Sequence, residues 1–109
     1  MKTTFVAATI TAFACGAAHA AGILSEQAAR AKAITILKGD PYGRTEAVVA
    51  HNIKQAQLVQ NADSKACSAK ATVWEFHVVA AGDNGPIDGY LAINPRTGKM
   101  VCANLPFLD

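Results

Sequence analysis

The sequence predicts an α+β domain in which an N-terminal helix packs on an antiparallel β-sheet meander. Three observations predict it. Ser25–Lys38 carries apolar residues at helical spacing, and Thr72–Ala81 alternates large apolar with polar residues. Everything after Thr72 is cut into short extended runs by turns rich in Gly, Asn and Pro.

Ser25 is suited to cap the helix, and Glu26 places a negative charge in its first turn, where the helix dipole favours it. Ala29, Ala33, Ile36 and Leu37 share one face, while Lys32, Thr35 and Lys38 lie largely on the other. Gly39 stands at the C′ position. Asp40–Gly43 reads as a turn, because Pro41 cannot continue a helix. Thr45–Asn52 supports two readings. Thr45 could cap a short helix running to about His51, and β-branched Val48 and Val49 could instead open a long strand. The helix is the reading taken, with a strand from Ile53 to Gln60 after it and a small, polar loop from Asn61 to Ala69 that contains Cys67.

Thr72–Ala81 is the clearest strand: Trp74, Phe76 and Val78 point to one face, Glu75 and His77 to the other. Further strands are expected at Ile87–Asn94 and Lys99–Ala103, joined by the tight turn Pro95–Gly98. The terminal segment is too apolar to be left in solvent, so Phe107 or Leu108 is expected to dock on the core. Trp74 is read as core beneath the helix rather than as an interface anchor.

The start of the chain has a different character. Lys2 is followed by a run from Phe5 to Ala18 with no charged side chain, ending in Ala18-His19-Ala20. This is the pattern of a secretory signal peptide, residues 1–20, cleaved after Ala20. The run is too short and too interrupted by Thr and Gly for a membrane anchor, and bulky Phe13 argues against lipidation at Cys15. One domain, residues 21–109, is then expected in the periplasm or medium.

Export settles how the cysteines are read. Of three in the chain, Cys15 leaves with the signal, and Cys67 and Cys102 remain in an oxidising compartment. That pattern predicts a structural disulfide; a redox-active pair would more commonly show C-x-x-C spacing. The whole chain carries a net charge of +2, and its basic residues are scattered, so charge offers no case for nucleic acid or an anionic membrane as partner.

The segment Trp74–Val101 resembles a PepSY domain. The likeness rests on the strand Trp74-Glu75-Phe76-His77-Val78 and the hairpin Asn94-Pro95-Arg96-Thr97-Gly98-Lys99-Met100-Val101, with the helix Glu26–Leu37 where that family has its N-terminal helix. Asn94 stands where the family usually has Asp. Asn accepts the same local backbone hydrogen bonds, so the fold expectation survives, whereas a role needing negative charge there would not. The resemblance implies a binding or regulatory module that restrains peptidases, with an exported peptidase as partner class, and it supplies no catalytic residues.

Catalytic and metal chemistry find little footing in the sequence. His51 and His77, with Glu75 beside His77 on its strand, fall short of the three or four ligands zinc takes once the cysteines are paired. Ser25, Ser64 and Ser68 lie at a helix cap or in a loop, outside any nucleophile elbow. Asp83–Gly89 has the residues of a hairpin turn and lacks the ligand spacing of a calcium loop. No enzyme activity and no cofactor are expected. The expected partner surface is the outer sheet face with Glu75 and His77, or the hairpin tip at Arg96. The alternative is a small-ligand or metal-binding module with a pocket between helix and sheet.

Overall fold

The computed structural model describes residues 22–108, so the expected signal peptide, its cleavage site and Cys15 lie outside the described residues. Two helices precede a four-stranded antiparallel sheet. They are α1 (Glu26–Leu37) and α2 (Glu46–Asn52), followed by β1 (Ile53–Ser64), β2 (Ala69–Gly82), β3 (Gly85–Ile93) and β4 (Met100–Ala103). The strands lie in chain order, a simple meander with β1 and β4 at its edges.

Both helices begin as their sequences specify. The Ser25 hydroxyl accepts the Ala28 N–H, and the Thr45 hydroxyl accepts the Val48 N–H. Thr45–Asn52 is therefore helical. The α1 face of Ala29, Ala33 and Leu37 is fully buried, and Ile34 and Ile36 pack at its margins. Gly39 follows α1 at C′ with φ +125°, but its N–H turns to the Gly43 carbonyl instead of back into the helix.

α1 lies on one face of the sheet, over Trp74, Phe76, Val78, Leu91 and Ile93. The Trp74 indole N–H donates to the Leu24 carbonyl at 3.0 Å, which fastens the entry to α1 onto β2. Leu24 N–H in turn donates to the Pro95 carbonyl. Burying side chains of this size stabilises a domain by about 1.5–3 kcal/mol each. The terminal segment docks through Leu105, with Leu108 packed at the edge of the same cluster. Phe107, which the sequence offered as an equal candidate, is 82% exposed. Asn104 and Leu105 come so close to β3 that a Cβ on Gly89 would meet the Asn104 carbonyl at 2.7 Å.

Strand boundaries differ from expectation at several points, with β3 running Gly85–Ile93 rather than Ile87–Asn94 and β4 starting at Met100 rather than Lys99. β1 continues past Gln60 to Ser64, and β2 begins at Ala69. The expected loop Asn61–Ala69 shrinks to a turn at residues 65–68. A bulge makes this possible: between the pairs Val59–Val73 and Ala62–Ala71, β1 carries one extra residue, with Asn61 at φ 49° and its N–H on the Thr72 hydroxyl. At the other end of β2, Asp83 and Asn84 alone separate β2 from β3, so this segment is a two-residue hairpin turn.

Candidate functional site

The outer sheet face, opposite the helices, is half covered and half open. The turn at residues 65–68 folds back over it. There Ala66 joins Val59, Val73 and Ala92 in a second small core, with Cys67 and Cys102 packed alongside. Cys67 and Cys102 form a disulfide, with their Cα atoms 5.1 Å apart. Cys102 pairs with Ala92, and Ala92 with Glu75, so the bond pins the turn onto the outer face of the central strands.

Glu75 lies beneath that turn. The expected partner surface includes it, yet it is only 6% exposed. Its carboxylate accepts the Ser64 hydroxyl at 2.6 Å and the Ala66 N–H at 3.1 Å, while the Ser64 oxygen accepts the Cys67 N–H at 3.2 Å. A buried carboxylate needs such partners, because water no longer supplies them. Glu75 is thus removed from the partner surface and serves to hold the cover in place. Alternation correctly assigned its face; what the reading left out was the return of the β1–β2 connection across that face. The disulfide carried the signal. Cys102, on a strand, fixes which face Cys67 must reach.

His77 remains at the surface. Its ring stacks on Tyr90, with centroids 4.8 Å apart and planes 19° apart, and its Nε2 lies 2.6 Å from the Asp88 carboxylate. Lys65 places its ammonium 5.3 Å from the Tyr90 ring centre, on the cation–π scale. The Tyr90 backbone N–H is held by the Asn104 side-chain carbonyl at 2.5 Å, and the Asn104 amide reaches the Lys65 carbonyl at 3.3 Å. Gln55 and Gln57 of β1, opposite His77 and Glu75, extend the same face. The result is a polar and aromatic platform whose members come from three strands and a turn. The sequence does not single out Tyr90, and Asp88 enters it only within the Asp83–Gly89 stretch. The hairpin register, counted outward from Asp83–Asn84, places both beside His77.

Arg96 is exposed but belongs to a different place. It sits beyond the Trp74–Ile93 pair, in the β3–β4 turn that abuts the start of α1. There the Asn94 side chain accepts the N–H groups of Arg96 and Thr97 at 2.8 and 3.0 Å, the local bonding expected of it. Gly98 closes the turn at φ +77°, where a Cβ would lie 2.6 Å from the Lys32 side chain of α1. The structure therefore does not unite Arg96 with His77.

Among the described residues, no group of three His, Cys, Asp or Glu side chains could hold a metal ion. His51 lies in the last turn of α2 and is exposed. Ser25 caps α1, and Ser64 is tied to Glu75. A cavity of about 290 Å³ lies at the β2–β3 hairpin, lined among others by Pro86, Ile87, Pro41 and the exposed Phe107. Among the described residues, no helix is long and apolar enough to cross a membrane.

Comparison with known proteins returns no matching family model, no matching curated protein and no matching solved structure.

Proposed function

We propose that this chain is an exported, non-catalytic, PepSY-like module that binds another protein and restrains an exported peptidase. The observation that carries the reading is the His77–Tyr90 platform. Its aromatic stack is held on both sides before any partner arrives, by Asp88 and by Lys65. Surfaces of this kind lose little side-chain freedom on binding, and tyrosine is among the residues that dominate interface energetics. The disulfide-pinned turn beside it supports export, since such a bond persists in an oxidising compartment. The PepSY-like strand and hairpin supply the peptidase as partner class.

The test is inhibition and direct binding of the purified protein against a panel of exported peptidases. Inhibition that weakens at least tenfold in Tyr90→Ala, with the melting temperature of the variant retained, supports the reading. Absence of binding and inhibition across the panel, or inhibition indifferent to both Tyr90→Ala and His77→Ala, refutes it.

A further inference from the structure

The tip of the β2–β3 hairpin carries chemistry of its own, independent of the platform and of any partner. Asp83 and Asn84 separate the strands, which close on the pair Gly82–Gly85. Gly85 stands at φ +122°, a conformation that glycine alone adopts without strain. The turn therefore requires a glycine directly after an asparagine. Nothing lies within 4 Å of where a Cβ on Gly85 would stand, so its N–H is unhindered. Asn84 is exposed, and among the described residues no hydrogen bond holds its side chain. The other asparagines differ. Asn52 donates its amide to the Tyr42 carbonyl, Asn94 accepts two backbone N–H groups, and Asn104 is engaged at both its oxygen and its nitrogen. Asn61 is followed by Ala62, whose methyl group hinders the neighbouring N–H. Asp88–Gly89 is the acid counterpart of the pair. Its carboxylate lies 2.6 Å from His77 Nε2, and Gly89 is buried, with the Asn104 carbonyl 2.7 Å from where a Cβ would stand.

We infer that Asn84 is a site of spontaneous modification in the folded protein, converted through a cyclic imide to aspartate and isoaspartate. The Gly85 N–H loses its proton to hydroxide, and the nitrogen attacks the Asn84 side-chain carbonyl carbon. A bond forms between Gly85 N and Asn84 Cγ. The bond from Cγ to the amide nitrogen breaks, and that nitrogen takes a proton from water and leaves as ammonia. Water then adds to either carbonyl of the imide. Opening on one side gives aspartate in the original chain. Opening on the other gives isoaspartate, with the main chain routed through Cγ. Nothing is oxidised or reduced. Both products place a new carboxylate beside Asp83. Isoaspartate also lengthens the main chain by a methylene, and so short a turn has no slack for it, because turn length sets the register of the strands. The pairs disturbed are those nearest the turn, Gly82–Gly85 and Ala81–Pro86, while His77–Tyr90 lies further along the ladder.

Incubation of the purified, folded protein in mildly alkaline buffer tests this, followed by isoelectric focusing and peptide mass mapping. An acidic species is expected that forms faster as pH rises, maps to Asn84 and is in part a substrate for an isoaspartyl methyltransferase. Asn84→Gln lengthens the side chain and disfavours the imide, so the acidic species should be lost. The melting temperature of this variant should be retained, because the side chain is exposed. Hydroxylamine, which opens the imide, should cut the folded chain between Asn84 and Gly85. The fragments should separate only after reduction, because Cys67 and Cys102 lie on either side of the cut. Acid that forms first at Asn52, Asn61, Asn94 or Asn104 overturns the inference, as does an acidic species that persists in Asn84→Gln. So does a folded protein that keeps its Asn84 amide over a time in which the urea-unfolded chain loses it, since the hairpin would then protect the site.

Discussion

The Ser64 hydroxyl donates to the Glu75 carboxylate at 2.6 Å, eleven residues away in sequence, and both side chains are buried beneath the turn at residues 65–68. The same carboxylate oxygen takes the Ala66 N–H. Glu75→Ala would leave a hydroxyl and a backbone N–H without their acceptor in a covered site. The expected loss is about 1–3 kcal/mol of stability, read by urea denaturation. Glu75→Gln keeps an acceptor oxygen and should lose less.

The disulfide closes a loop with a sequence separation of 35. Chain-entropy arithmetic assigns a closure of that length about 4 kcal/mol. The double variant Cys67→Ser with Cys102→Ser should therefore unfold at a markedly lower urea midpoint. The Ala66 amide should lose hydrogen-exchange protection before the β2–β3 ladder does, because the cover loses its tether while the strands keep their pairing.

Trp74 joins packing with a long-range hydrogen bond. Trp74→Phe preserves an aromatic under α1 but drops the donor to the Leu24 carbonyl. A loss of about 1 kcal/mol from the hydrogen bond alone is expected, with added cost from the smaller ring. Phe76→Ala, at the fully buried neighbour on the same face, should cost about 3–5 kcal/mol. Both are measured by thermal or chemical unfolding.

In the β3–β4 turn, Asn94→Ala removes the acceptor of two backbone N–H groups and should cost about 1–2 kcal/mol. Asn94→Asp restores an acceptor and should retain most of the stability. A melting-temperature comparison of the two variants separates the side chain's hydrogen bonding from its size.

The hydrogen bond from the Arg44 guanidinium, aided by its positive charge, holds the Asp40 carboxyl below its ordinary range. A carboxyl depressed in the folded state contributes stability above its unfolded value and loses that contribution as pH falls through its folded value. Arg44→Gln should accordingly move the Asp40 titration midpoint upward. Carboxyl carbon chemical shifts followed through an acid titration check this.

Much of the fold was legible because local chemistry and tertiary packing agree. The Ser25 cap, the spacing of Ala29, Ala33 and Leu37, and the alternation of Trp74, Phe76 and Val78 each specify what the structure contains. Thr45–Asn52 could be read two ways because β-branched Val48 and Val49 suit either state; the Thr45 cap and the burial of Val49 decide for helix. The candidate site was less legible. Alternation places a residue on a face, but it cannot report what later folds over that face, so it offers Glu75 as part of an open partner surface. His77 was placed correctly, while its relation to Asp88 and Tyr90 is a matter of register. The extension of β1 to Ser64 depends on a bulge, which polar residues such as Gln60 and Asn61 do not announce.

The Cys67–Cys102 bond has a consequence for encounters with a peptidase. Asp83 and Asn84, at the tip of the β2–β3 hairpin, are exposed and lie between the two cysteines in sequence. A chain cut there would not come apart. Both fragments would stay covalently joined, because one carries Cys67 and the other Cys102.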